Sequence, residues 1–256
     1  VAPDFVLMEF IDGIEVGVGG YFDGNCFMQP ACVDFEHKRF FPGDLGELTG
    51  EMGTVVTYDR SAKLRERVLV PLTEILRGGG YRGYINVNFI ANDRGLWPLE
   101  FTSRFGYPGY AICEALHNEH WEQIFLKLAR QSDAEFQTAE GFAVGIVLTV
   151  PPFPHTQGYS EISKGIPIIL DEQMLAEERT KIAFAEVEMR HGTLVTSGTC
   201  GYVGVVTGCA PTIPEARESA LKVASKVYVP NLRYRNDIGD RVSDHALKRL
   251  SEWDLL

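Results

Sequence analysis

Apolar residues recur at three- and four-residue spacings through Leu64, Val68, Leu72, Ile75 and Leu76, which predicts a helix over about residues 60–77. Asp59 and Ser61 stand before it as candidate caps, and Gly78-Gly79-Gly80 stop it. Pro71 removes one backbone donor inside the helix and predicts a kink there. Ile112, Leu116, Ile124 and Leu128 predict a second helix over about residues 109–129. Between the two, residues 84–90 and 96–101 flank Asn92-Asp93-Arg94-Gly95, which predicts a hairpin with turn residues where a turn needs them. A strand-like apolar stretch opens the chain at residues 5–10. Further on, residues 142–150 predict a nearly continuous apolar strand, followed by short strands around 166–169, 183–188 and 203–207. A helix over about 214–227 comes last, with Thr212 as its cap and a proline in its first turn. Strands and helices without strict alternation predict an α+β fold, divided into units at residues 1–135 and 136–256.

Composition narrows the function classes. The 256 residues carry 24 Lys+Arg against 35 Asp+Glu, a net charge of −11, so no general positive field gathers nucleic acid. An anionic ligand must then be held by a local basic cluster. No apolar run reaches the roughly 18–20 residues that span a bilayer, so no membrane partner is expected. The five cysteines are an odd number without a CxxC pair, which predicts a reducing compartment, the cytoplasm. The opening Val1-Ala2-Pro3-Asp4 runs at once into the strand-like stretch, which predicts a segment cut from a longer chain.

Two clusters could carry chemistry. Glu36-His37-Lys38-Arg39 is followed by Gly43-Asp44, Gly46 and Thr49-Gly50-Glu51-Met52-Gly53. Basic side chains beside glycine-rich backbone form a local anion site; the alternative is a solvated turn between strands. Glu100 and Thr102, two apart at a strand end, share a face, and Asn88 on the partner strand can join them. Such oxygens suit Mg²⁺, with Arg104 offsetting charge on a transferring phosphoryl group. The alternative is an exposed Glu100 paired with Arg104. His117 and His120 are read as an exposed helix face rather than a metal pair.

The same residues carry a resemblance. The stretch from Glu36 to Gly53 resembles, in order and nearly in spacing, the D-H-K-R…G-D-x-G-P-N-T-G-G-M-G motif of phosphoribosylamine–glycine ligases. Tyr81-Arg82-Gly83, Glu100-Phe101, Arg104-Phe105-Gly106 and Glu9-Phe10-Ile11-Asp12-Gly13 with Glu15 resemble further motifs of that family, as does Arg235-Asn236-Asp237-Ile238-Gly239. The resemblance implies the second lobe of an ATP-grasp domain followed by a small, barrel-like, β-rich domain with a helix. It implies a ligase of purine biosynthesis that uses ATP to turn glycine into an acyl phosphate, which the amine of phosphoribosylamine attacks. ATP and Mg²⁺ or Mn²⁺ are the implied cofactors, an amino acid and an amine the small-molecule partners. An N-terminal lobe is the implied partner in cis, and the fragment alone is expected to be inactive.

Carried over residue by residue, the resemblance gives Arg104, Lys38 and Arg39 catalytic roles. It places Glu9, Phe10, Ile11 and Glu15 at the adenine and ribose. His37, Asp44, Thr49, Gly50, Glu51, Met52 and Gly53 would shape the phosphate and substrate pocket, and Glu100, Thr102 and Asn88 the metal shell. Departures fall on the substrate side. Thr102 stands where the family has Asn, Tyr107-Pro108-Gly109 where it has D-P-E, and Glu51 where it has the second glycine of its pair. They leave two alternatives: an ATP-grasp ligase for another acid and amine, or a non-catalytic remnant.

Overall fold

Alternation of apolar and polar positions builds a large antiparallel sheet with two unlike faces, beside which the described residues form three two-stranded pairs. The computed structural model describes residue 5, residues 7–131 and residues 135–256. Its strands in the first half are β1 (Ile14–Phe22), β2 (Cys32–Glu36), β3 (Arg39–Phe41), β4 (Leu45–Leu48), β5 (Gly53–Thr57), β6 (Gly83–Asn92) and β7 (Gly95–Thr102). The second half adds β8 (Phe142–Thr149), β9 (Ile169–Leu170), β10 (Ile182–Phe184), β11 (Val187–Arg190), β12 (Thr193–Thr196), β13 (Tyr202–Ala210) and β14 (Val227–Tyr228). Eight strands pair in the order β10-β13-β8-β5-β2-β1-β6-β7. Thr54 of β5 lies opposite Gly145 of β8, so strands of both halves share this sheet. The result is the α+β fold that the pattern predicts.

On one face, Val16, Val18, Val33, Phe35, Val55, Ile85, Val87 and Phe89 are buried with Leu64, Leu69, Ala216, Ala220 and Val223. Full burial of each such Val, Leu, Ile or Phe contributes about 1.5–3 kcal/mol. The helix Ile213–Ala224 packs hard on this side, because Gly208 leaves room: a Cβ there would stand 2.3 Å from the Ala216 carbonyl oxygen. Thr212 caps that helix by accepting from the Glu215 N–H. The opposite face buries Tyr21, Cys32, Val56 and Tyr84 against Ile112 and Cys113 of the helix Gly109–Glu114.

Several elements differ from the pattern. The run from residue 62 to 78 is helical but uneven, with α-turns at Ala62–Leu64 and Thr73–Gly78 around a wide turn at Arg65–Leu69 and a tight one at Val70–Leu72. Pro71 sits in the tight turn, where its missing donor costs least. The expected helix over 109–129 is two, Gly109–Glu114 and Trp121–Arg130. Residues 137–139 cross the gap and take its backbone groups: Asn118 N–H donates to Gln137 O at 3.0 Å, and Ala139 N–H to Leu116 O at 2.7 Å. His117 therefore lies half-buried in the break, and His120, which is exposed, stands at the start of the second helix, its N–H donating to Gln123 Oε1 at 2.9 Å.

Residues 7–10 are exposed and form no strand. Among the described residues no strand pairs with them, and a strand needs a neighbour for its backbone groups. Residues 1–4 and 6 lie outside the described residues. The expected strand over 183–188 is divided between β10 and β11 at Glu186. Its carboxylate accepts N–H bonds from Thr199, Cys200, Gly201 and Tyr202, while its own N–H donates to Tyr202 O at 3.0 Å. Among the described residues, no helix is long and apolar enough to cross a membrane.

Candidate active site

The polar face of the sheet is made possible by strand β1. Its sequence Val16-Gly17-Val18-Gly19 buries valines on one side and offers bare backbone on the other. Asp34 of β2 lies opposite Gly17, and Asn86 of β6 opposite Gly19. A Cβ on Gly17 would stand 2.1 Å from Asp34 Oδ1, and one on Gly19 1.9 Å from Tyr84 Oη. The glycines thus make room for polar side chains from both neighbours. Asn88 lies opposite Glu100, and Asn86 opposite Thr102, which brings β7 onto the same face. A cavity of about 230 Å³ opens here, with Asp34, Glu51 and Asn86 inside and Lys38, Glu100 and Arg104 among its lining.

Lys38 is the centre of charge. Its ammonium lies 2.6 Å from Glu15 Oε1, 3.3 Å from Glu36 Oε2 and 3.5 Å from Glu100 Oε1. Burial works against that charge, but the Glu15 hydrogen bond and the charges of Glu36 and Glu15 outweigh it and raise its pKa above the usual lysine range. Burial raises the Glu36 carboxyl, opposed by Lys38. Asp34, buried beside the charge of Glu36, is pushed up to about 7, although Asn86 Nδ2 donates to its Oδ2 at 2.5 Å. Burial, with the charges of Glu36 and Asp34, raises Glu51 well above the carboxylate range. Thr54 Oγ1 donates to Glu51 Oε1.

Glu100, Thr102 and the side-chain oxygen of Asn88 are hard donors, the type that Mg²⁺ shares with phosphate oxygens and water. Asn88 Nδ2 donates to Glu36 Oε2 at 3.2 Å, which turns its other amide atom away from that carboxylate. Among the described residues no three His, Cys, Asp or Glu side chains are grouped as a metal cage. The donor set fits an ion held partly by its own ligands, not one enclosed by protein.

The remaining sequence candidates build the frame. Residues 37–52 fold back as the β3–β4 hairpin, closed where Met52 N–H donates to His37 O and Thr49 Oγ1 to Lys38 O. Arg39 donates to Gly46 O at 2.7 Å. The hairpin tip is clamped by the C-terminal segment. Arg235 and Arg241 each reach Asp44 at 2.9 Å, and Gly43 N–H donates to Asp237 at 2.8 Å. His37 is buried, its Nε2 accepting from Gly239 N–H at 3.1 Å. Burial, then the charges of Arg241 and Arg235, lower its pKa to about 4. Met52 packs with Phe40 and Phe153.

Of the sequence candidates, Lys38, Gly50, Glu51, Glu100, Thr102 and Arg104 line the cavity, and Glu15 reaches it through Lys38. His37, Arg39, Asp44, Thr49, Met52 and Gly53 lie behind it, while Glu9, Phe10 and Ile11 stand apart. Asp34, Asn86 and Tyr84 were not among the candidates. The signal for them is the alternation of Asp34 with Val33 and Phe35, and of Asn86 with Ile85 and Val87, beside a strand whose matching positions are glycine.

Family comparisons agree with the motifs. Residues 2–110 match the model described as phosphoribosylglycinamide synthetase, ATP-grasp (A) domain, and residues 143–241 its C domain. The chain is 31% identical over 238 residues to a phosphoribosylamine–glycine ligase of Thermotoga maritima, covering 91% of this chain and 56% of that protein. It is 30% identical over 246 residues to one of Pasteurella multocida, covering 92% and 55%. The crystal structure of the Thermotoga maritima ligase superposes with a TM-score of 0.73 at 29% identity, over 90% of this chain and 56% of that one. The chain spans about half the length of the curated relatives it matches.

Proposed function

We propose, for a chain that belongs to the phosphoribosylglycinamide synthetase family, that the intact protein is an ATP-dependent carboxylate–amine ligase. Glycine and 5-phosphoribosylamine are its proposed substrates, with ADP and phosphate released. The observation that carries this reading is the convergence of Lys38 with Glu15, Glu36 and Glu100 beside Arg104, at the mouth of a cavity deep enough for small substrates. In the proposed sequence a carboxylate oxygen attacks the γ-phosphorus, the bond to ADP breaks, and an acyl phosphate forms. The amine then attacks the acyl carbon, the amine proton is lost, and phosphate leaves.

Arg104 and Lys38 offset the charge that builds on the transferring phosphoryl group, where fixed cations in a partly dry site are worth most. Glu100, Thr102 and Asn88 would hold Mg²⁺, which neutralises phosphate charge when bound. Glu15 would approach the ribose, with Glu9, Phe10 and Ile11 toward the adenine. The part of the relatives' length that this chain does not match would supply the rest of the nucleotide clasp. Five unpaired cysteines suit a reducing compartment, the proposed cytoplasm.

A second reading, a ligase for a different acid and amine, is favoured by Glu51 inside the cavity and by Tyr107 and Gly109 on its wall. Phosphate release by the intact protein with ATP, Mg²⁺ and a panel of acids and amines tests both. The expected result is turnover with glycine and phosphoribosylamine that falls about 10²–10³-fold in Glu100→Ala, as loss of one preorganised electrostatic group does. Turnover only with another pair would favour the second reading. ATP binding without turnover on any pair would leave a non-catalytic remnant.

A further inference from the structure

The deep end of the cavity holds an arrangement that the phosphoryl chemistry does not use. Asp34 and Glu51 are buried there, 6% and 9% exposed. Lys38 is engaged at the mouth by Glu15, Glu36 and Glu100. Among the described residues no cation pairs with Asp34 or Glu51; their partners are Asn86 Nδ2 and Thr54 Oγ1. Asn86 also lines the cavity, is 8% exposed, and its Oδ1 has no hydrogen-bond partner. Buried polar atoms are nearly always satisfied, and a buried carboxyl without a cation is costly. Burial raises both carboxyls toward their protonated forms, and a bound cation draws them to the ionised form, in which they and the orphan carbonyl oxygen are all acceptors. A group that satisfies them must be a multiple donor with positive charge, compact enough for the floor of a cavity of about 230 Å³.

We propose that this deep end is a subsite for a primary ammonium group, and that Glu51 is the specificity-determining residue that selects an amino-bearing acid over a neutral one. Three N–H bonds of an ammonium match the three acceptors in number, and Gly17 and Gly19 leave Asp34 and Asn86 the space to present them. Glu51 stands where the family motif has glycine, so this chain adds a carboxyl to the pocket. The proposal rests on the ligase reading only in taking the ligand's other end to be a carboxylate near Lys38 and Arg104.

Calorimetry on the intact protein without ATP tests it. Glycine and β-alanine serve as ammonium probes, glycolate and propionate as their neutral counterparts. The expected result is at least about 100-fold tighter binding of an ammonium probe, since a neutral analogue leaves buried acceptors unpaired. Glu51→Gln, which keeps the side chain's volume, should cut that preference at least tenfold. Glu51→Gly, the motif's own residue, should do the same if Gln repacks the loop. ATP affinity in each variant is the control for a folded site. Equal binding of the neutral acids, no binding of either ammonium probe, or a preference unchanged in both variants would overturn the proposal. Failure of the ligase reading is separate: no phosphate release on any pair, with the ammonium preference intact.

Discussion

The buried guanidinium of Arg235 holds the Asp44 carboxylate at 2.9 Å, tying the tip of the β3–β4 hairpin to a segment 191 residues away. It also makes two bonds to Asp237 and one to Arg39 O, and is 1% exposed. This clamp sets where residues 37–52 stand, and so where Lys38 and Glu51 meet the cavity.

Arg235→Leu should lower stability by about 2–4 kcal/mol, measured as a shift in the urea midpoint. The lower part of that range reflects the partial exposure of Asp44, 34%, whose charge water still screens. Burial works to raise the Asp44 and Asp237 carboxyls, but the Arg235 hydrogen bonds and nearby charges hold both below the usual range. Their contribution is therefore complete above the unfolded value of 3.8 and is lost as pH falls through their lower folded values. Below that window the variant and the parent should converge.

His37 gives a second pH dependence of known sign. The unfolded chain takes up a proton near 6.5, while the folded chain holds His37 neutral until about 4. The His37 contribution to stability should thus fall as pH drops between those values, by up to about 1.4 kcal/mol per pH unit, against the opposite contribution of the raised Asp34 carboxyl. His117, lowered to about 4 chiefly by burial, acts in the same window. His37→Gln can still accept from Gly239 N–H but has no proton to take up, so lowering the pH from 7 to 5 should cost the variant less stability than it costs the parent, read from urea midpoints.

Lys38→Met leaves three carboxylates without the cation between them. Turnover should fall by about 10²–10³, the scale for removing one preorganised electrostatic group. Lys38→Arg keeps the charge but replaces a point donor by a planar fork, and should fall between parent and Lys38→Met. Phosphate release at saturating ATP measures both.

Gly17→Ala and Gly19→Ala press on Asp34 and Tyr84, whose polar ends face the cavity. Each should cost about 1–3 kcal/mol as overpacking. Each should also raise KM for the acid substrate while leaving KM for ATP unchanged, read from initial rates.

Much of the fold was legible because apolar spacing reports directly on burial. Residues 142–150 and 214–227 became β8 and the helix Ile213–Ala224 within a few positions, and Asp93-Arg94 turns the β6–β7 hairpin. What escaped depends on tertiary partners. Ile112, Leu116, Ile124 and Leu128 keep helical spacing across a break imposed by residues 137–139. Nothing local to that run reveals the crossing segment. At the site, Lys38 and Arg104 were legible as positive charge in an acidic chain, and Glu100 and Thr102 as oxygen donors two apart on one strand. His37 and Asp44 read the same way in sequence, yet their neighbours are Gly239 and Arg235, about 200 positions on. Asp34 and Asn86 escaped because each sits singly between apolar residues. Their meaning comes from Gly17 and Gly19 on the strand between them.

In the proposed reaction this site passes a phosphoryl group to a carboxylate before the amine attacks. Glycine labelled with ¹⁸O in its carboxylate, turned over by the intact protein with ATP, Mg²⁺ and phosphoribosylamine, tests it most directly. One ¹⁸O is expected in each phosphate released, because the carboxylate oxygen that attacks phosphorus leaves with it. Phosphate released without the label would contradict it.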